Sequence, residues 1–284
     1  MTENPQAASW LPGSGYGGAG PARVIAVASG KGGVGKTSVS VNLGIALSAT
    51  GRRVILFDAD LGMANAEVVL GVRPAYTLMD VVFGSRGIAE VMTPAAGCQL
   101  ISGGSGLAEL ANLSHPQRQR LLQEITGLKD SADTLILDTG AGLSKTVLGF
   151  VAAAGDVIVV VTPEPTSLTD AYGLIKVLDR YRVHREVMVL ANRVRNAGEG
   201  QAVFRRLAVV AGRYLHNIEL KPAGHIREDP AVSRAVRAQV PLVVASPHSP
   251  AARDMVEVAR GLTREPAPEQ GIGSFVKKLF RVFG

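Results

Sequence analysis

Residues 30–38 read GKGGVGKTS, and two further stretches, LFDADLG (56–62) and LILDTGAG (135–142), carry aspartates at the ends of apolar runs. These are the residue types that phosphoryl transfer calls for: a cradle for an oxyanion, a cation, a metal-binding set and a group to orient water. Glycines let a backbone curl until its N–H groups point inward at an anion, and a helix N-terminus behind the loop adds its dipole. Gly30, Gly35, Lys36 and Thr37 occupy the fixed positions of the P-loop pattern G-x-x-x-x-G-K-[ST]. Lys36 is placed to neutralise β- and γ-phosphate oxygens and the Thr37 hydroxyl to ligate Mg²⁺. The nucleotide-binding run is then Gly30, Lys31, Gly32, Gly33, Val34, Gly35, Lys36, Thr37 and Ser38. Lys31 has no evident job in this cradle, and taken alone it is a solvated surface lysine.

Asp58 and Asp60 lie two apart on an extended segment, so they share a face. With Asp138 they make three carboxylates beside a phosphate loop, enough for a metal and an attacking water. A single strand-end aspartate is an ordinary turn residue; the combination is what points to chemistry. Gly140 and Gly142 suit a loop that moves with a terminal phosphate.

The elements that must position these residues are legible as alternating patterns. Apolar runs lie at 23–29, 52–58, 98–102, 133–138, 156–162 and 186–192. They are nearly continuous in apolar residues, as strands buried on both faces of a parallel sheet are. Helical periods lie at 36–50, 114–128, 143–153, 166–182 and 229–239, with Ser114 as an N-cap and Pro116 in the first turn. The fold class is therefore α/β: a doubly wound, mostly parallel sheet with helices on both faces, of the P-loop NTPase kind. Ligands of such sheets sit at the carboxyl ends of the strands, which is where the glycines and aspartates fall.

The chain of 284 residues can form one large domain, with a net charge of +6 and one cysteine, Cys98. The charge favours acidic partners only weakly. One cysteine excludes a disulfide framework, argues against a within-chain thiolate cluster and fits a reducing cytoplasm. The start shows no signal peptide, and no apolar stretch of about 20 residues spans a membrane. The organisation reads as a Gly/Pro-rich flexible tail (1–21), a P-loop domain (22–263), a linker (264–272) and an amphipathic segment (273–284). In that segment Phe275, Leu279 and Val282 form one helical row, Val276, Phe280 and Phe283 the next, with Lys277, Lys278 and Arg281 off the stripe. This is the pattern of a helix lying in a membrane interface; a C-terminal helix docked on its own domain is the other arrangement it allows. Six apolar side chains give at most ~10 kcal/mol, the basic residues ~1 kcal/mol each, and ordering a dozen residues costs a similar total. One such helix binds weakly and reversibly.

KGGVGKT, with its early lysine, resembles the deviant P-loop of the MinD/ParA class of ATPases. The resemblance implies ATP/ADP and Mg²⁺ as ligands and an ATP-dependent homodimer in which Lys31 reaches the partner's nucleotide. It implies catalytic roles for Asp60, Lys31 and Lys36, with Asp60 orienting the attacking water, and an Mg²⁺ site of Thr37, Asp58 and Asp138. Asn192, ending VLANRV, would pair with the adenine edge. Arg227, in AGHIREDPAV (223–232), lies on a second base-contacting loop where members often carry proline. DADLGMANAEVVLGV (58–72), DTGAGLSKTVLGFV (138–151) and VTPEPTSLTDAYGLIKVL (161–178) resemble the FlhG/FleN family of flagellar number and placement regulators. That implies a slow, dimer-activated ATPase at the inner face of the cell membrane. Its partners would be the FlhF GTPase, C-ring switch proteins or a flagellar transcription regulator, with no nucleic acid. PQAASWLP (5–12) echoes that family's N-terminal D-Q-A-x-x-L-R motif through Gln6, Ala7 and Leu11, without its aspartate and arginine. Competing readings are a MinD-like division-site ATPase and a ParA-like DNA-segregation ATPase using Arg205, Arg206, Arg213 and Lys221. An iron–sulfur carrier is disfavoured by the lone cysteine.

Overall fold

The computed structural model describes residues 21–60, 65–84, 86–104, 113–264 and 271–283. The expected N-terminal tail, with its motif echo, and most of the linker lie outside these residues. The apolar runs form the strands of one sheet. They are β1 (Arg23–Ser29), β2 (Val54–Ala59), β3 (Thr93–Ala95), β4 (Cys98–Ser102), β5 (Thr134–Ala141), β6 (Asp156–Val161), β7 (Glu186–Val194) and β8 (Glu219–Arg227). Their order is β3-β4-β2-β5-β1-β6-β7-β8. All neighbours are parallel except the β3–β4 edge pair.

Each parallel connection needs a crossover, and helices supply it on both faces. One face carries α3 (Leu78–Val82), α4 (Ile88–Val91), α5 (His115–Gly127), α6 (Lys145–Ala153), α7 (Pro165–Tyr181), α8 (Ala197–Tyr214) and α12 (Ile272–Phe283). The other carries α1 (Lys36–Ser48), α2 (Ala66–Leu70), α9 (Pro230–Ala238), α10 (Leu242–Ala245) and α11 (Pro250–Arg264). The period of two is visible in β1: Val24, Ala26 and Ala28 enter one core, Ile25 and Val27 the other. All seven β1 residues are buried, which is why the run carries almost no polar side chains.

Two strands were not anticipated. Thr93–Ala95 is three residues at an edge, and β8 carries Lys221, Pro222 and His225 with mostly half-exposed positions. An edge strand tolerates that composition and so lacks the apolar signature. At the start of α5, Ser114 is at the predicted boundary, but its backbone N–H and hydroxyl donate to Gln117 Oε1.

The C-terminal segment is a helix, and its apolar stripe faces the protein. Ile272, Phe275, Val276 and Leu279 are buried in the core between α5 and α6, and Phe280 is half-buried. Lys277 and Arg281 are exposed. The side chains of Val282 and Phe283 lie outside those described. Among the described residues, no helix is long and apolar enough to cross a membrane.

Candidate nucleotide site

The glycine-rich loop leaves the end of β1 and runs into α1, whose first residue is Lys36. Gly33 and Gly35 have φ of +79° and +91°, a region that side chains oppose. Gly30 is needed for a different reason. A Cβ there would lie 2.1 Å from the Asp170 carbonyl oxygen, so the loop packs directly against the α7 backbone. Asn192, in β7, donates its Nδ2 to the Val34 carbonyl at 2.7 Å and closes the loop from beneath.

Lys36 is buried, with Nζ 3.2 Å from Asp138 Oδ1. The Ser40 hydroxyl, one turn further along α1, is 2.9 Å from the same oxygen. Asp138 Oδ2 is buried with no hydrogen-bond partner. Asp58 is paired in register with Asp138 across β2 and β5. Its carboxylate accepts backbone N–H bonds from Asp60, Asn65 and Ala66 at 3.1, 2.9 and 3.0 Å. Burial, and then the Asp138 charge, nevertheless push Asp58 up to about 6. Two buried carboxylates side by side, one with an orphaned oxygen, fit a divalent cation, and Thr37, the second residue of α1, lines the cleft. Asp60 stands on the next loop. Its Oδ1 lies 3.5 Å from where a Cβ on Gly140 would sit, so the water-orienting candidate and the β5 glycine loop are adjacent.

Lys36, Thr37, Asp60 and Asn192 open on a cleft of about 1170 Å³ that Gly32, Gly33, Gly35, Ser38 and Arg227 also line, whereas Asp58 and Asp138 are buried and not among its lining residues. Asn65 and Val69 close one side, α9 the other. It has room for a nucleotide. Two predicted residues are engaged elsewhere. The Arg227 guanidinium forms a two-point pair with Asp254 of α11, Nε–Oδ2 2.8 Å and Nη2–Oδ1 2.7 Å, so it offers the cleft its backbone and stem. Lys31 is exposed and turned to α7, where Nζ donates to Thr166 Oγ1 at 2.9 Å. Ser40 and Asp254 were missed. Ser40 sits at i+4 from Lys36, a spacing that puts both on one helix face; nothing in the sequence ties Asp254 to Arg227.

A ParA family profile, described as "NUBPL iron-transfer P-loop NTPase", matches residues 21–263. The antiactivator FleN of Pseudomonas aeruginosa is 41% identical over 263 residues, covering 91% of this chain and 94% of that protein. The chain belongs to the ParA family of P-loop NTPases, in its FleN/FlhG branch. The flagellum site-determining protein YlxH of Helicobacter pylori is 32% identical, covering 93% of this chain and 92% of that one. Among solved structures, the cell division ATPase MinD of Pyrococcus furiosus superposes with a TM-score of 0.70 at 28% identity, over 85% of this chain and 98% of that one. MinD of Pyrococcus horikoshii, solved with Mg-ADP, gives 0.69 at 27%, over 85% and 96%. The ParA-family fold and the complete phosphate loop make this chain an ATPase. Iron carriage, named in the profile's description, finds little support in these residues. Cys98 is buried, and burial pushes its thiol up to about 12, against a weaker effect of Ser48. Among the described residues no group of three or more His, Cys, Asp or Glu is arranged to hold a metal.

Proposed function

We propose that the protein is an ATP-switched regulator of flagellar number and placement, which dimerises with ATP and then binds the inner face of the cell membrane through α12. The observation that carries it is the likeness to FleN over nearly the whole chain. In this reading the loop N–H groups and Lys36 hold the β- and γ-phosphates. Nucleotide draws Lys36 away from Asp138, and Thr37, Asp58 and Asp138 hold Mg²⁺, which when bound withdraws charge from the phosphate oxygens. Asp60 orients the attacking water. Asn192 meets the base by its remaining carboxamide oxygen. Lys31 leaves Thr166 and reaches the nucleotide of the second protomer, adding a cation where charge develops in the transition state.

The docked α12 supports a switch. The stripe that would enter lipid is the stripe now buried between α5 and α6, so one use excludes the other. ATP-driven dimerisation that loosens this docking would expose two helices at once, and two linked weak anchors bind far better than one. Gel filtration of the Asp60→Ala protein with ATP, with and without vesicles, tests this. A stable dimer that moves to vesicles is expected. A monomer throughout, or equal vesicle binding with ATP and ADP, would overturn it. A MinD-like division role shares the chemistry; pull-down of flagellar rather than division proteins separates the two.

A further inference from the structure

Arg227 lines the cleft, yet its guanidinium is engaged outside it. A guanidinium carries five N–H donors in a fixed fork. Here Nε and Nη2 donate to the two oxygens of Asp254 at 2.8 and 2.7 Å, and Nη2 also reaches the Pro250 carbonyl at 3.3 Å. The Arg227 backbone N–H donates to Asp254 Oδ2 at 2.9 Å. Asp254 therefore holds both the side chain and the main chain of one residue, and its own side chain is only 10% exposed. Asp254 is not among the residues that line the cleft, whereas Met255, the next residue of α11, is.

The turn from β8 into α9 is also short of free donors. It starts beside Asn192, with Ile226 opposite that residue in register. Glu228 N–H donates to the Val194 carbonyl at 2.8 Å, and Ala231 N–H to Asp229 Oδ1 at 2.8 Å. Pro230 has no N–H. Of residues 227–231, Asp229 alone keeps a main-chain N–H without a partner among the described residues. Asp229 Oδ2 accepts from Ala251 N at 3.2 Å, so the turn is pinned to the first residues of α11 through two carboxylates.

Acceptors are better represented. Asn192 gives Nδ2 to the Val34 carbonyl, and its Oδ1 receives no bond among the described residues. Ile226, Pro230, Leu242 and Met255 line the same cleft and offer apolar surface to the faces of a ring. Arg193, Arg234 and Arg237 line it too, but all three are exposed, so their donors are already satisfied by water.

A site with acceptors free and donors engaged suits a ring that carries an amine and opposes one that presents an oxygen at that place. Adenine bears an amine donor at its six position, and guanine an oxygen acceptor. Arginine is the usual two-pronged partner of that guanine edge, through O6 and N7. We propose that Asp254 is a positioning residue that sets the choice of base. By holding Arg227 back it withholds the donors that a 6-oxopurine needs and leaves acceptors for a 6-aminopurine. The proposal rests on the reading of Asn192 and the β8–α9 turn as the base site, and it adds the residue that decides what the turn offers.

The test is competition of ADP, GDP and IDP against a fluorescent ADP analogue on the full chain with Mg²⁺. The parent should favour ADP over both 6-oxopurine nucleotides by on the order of a hundredfold or more. Asp254→Ala frees the guanidinium, and GDP and IDP should then bind roughly tenfold to a hundredfold more tightly than to the parent, the contribution of one two-pronged arginine–guanine pair. Asp254→Asn keeps an oxygen for the Arg227 N–H but drops the charge; it should move the same way by less, and it carries the test if the alanine variant does not fold. In Asp254→Ala/Arg227→Ala the gain for GDP and IDP should vanish. A merely structural role would weaken all three nucleotides together, in the single and double variants alike. That result, or selectivity unchanged in both Asp254 variants, would overturn the proposal while leaving the base site standing. If the parent binds all three nucleotides alike, the reading of the base site fails first and this proposal with it.

Discussion

Replacing Ile125 by alanine should release α12 without altering a single residue of that helix. Phe275 closes a small apolar chamber with Phe57, Leu78, Ile88, Ile101, Ile125, Leu128 and Leu135. Docking buries Ile272, Phe275, Val276 and Leu279, about 9 kcal/mol at roughly 2 kcal/mol each plus a little for the groove they cover. Ordering the twelve residues of α12 costs about 12 kcal/mol at ~1 kcal/mol per residue. At up to about 3 kcal/mol per fully buried side chain the burial offsets that cost, so the docked state is held by a small margin and responds to small changes. Ile→Ala in a packed core costs about 2–5 kcal/mol. With part of the Ile125 surface facing α12, about 1–2 kcal/mol of that falls on docking, a factor of roughly 5–30 in the undocked population. Amide hydrogen exchange measures it directly. α12 amides should exchange 5–30 times faster in the ADP-bound variant while those of α7 stay protected, and vesicle binding with ADP should rise in parallel. Unchanged α12 exchange, or acceleration only through global unfolding, would refute the docking argument.

Gly30→Ala should lower nucleotide affinity at least tenfold by titration with a fluorescent ADP analogue, because the added methyl meets the Asp170 carbonyl at 2.1 Å and the loop must move. Ser40→Ala should raise the Mg²⁺ concentration needed for tight ADP binding about tenfold, consistent with loss of one hydrogen bond to a charged group, with metal-free ADP binding little changed and Ser40→Thr restoring it. Asp58 has an ordinary value of 3.8 and a folded value of about 6. The folded state therefore holds more protons than the unfolded one between those values, and metal-free stability should fall as pH rises from about 4 to 6, on the order of 3 kcal/mol from this group. Urea unfolding in EDTA should show that slope in the parent and not in Asp58→Asn. Lys31→Ala should keep nucleotide binding and lose ATP-dependent dimerisation on gel filtration; hydrolysis at the parent rate would remove its role in the second protomer's site.

The sequence exposed what depends on runs and fixed spacings. β1 and β4 were read to the residue because strands buried on both faces leave little choice but apolar side chains, and the turn from β1 into α1 because the spacing of Gly30, Gly35, Lys36 and Thr37 marks it. β8 was hidden because an edge strand can carry Lys221, Pro222 and His225. α8 was hidden because its exposed Val209, 71% exposed, and Val210, 41%, blur the helical stripe. In the site, the pairing of Ser40 with Asp138 spans 98 positions and that of Arg227 with Asp254 spans 27. Such contacts are made by the sheet order, which pattern reading does not supply. Of the α12 stripe, Phe275, Val276 and Leu279 are buried against the domain; that neighbour depends on the groove between α5 and α6, two helices with no sequence mark of that duty.

In the proposed reading, Asn192 joins two recognition tasks in one side chain. Its amide nitrogen holds the Val34 carbonyl, and Gly35 is kept free of a side chain by that same nitrogen, 2.6 Å from where a Cβ would stand. The glycine-rich loop is thereby stitched to β7, the strand assigned to the base. In that reading, a base that pulled the Asn192 carboxamide out of line would loosen the phosphate loop too, and selectivity for the base would be read out as grip on the phosphates.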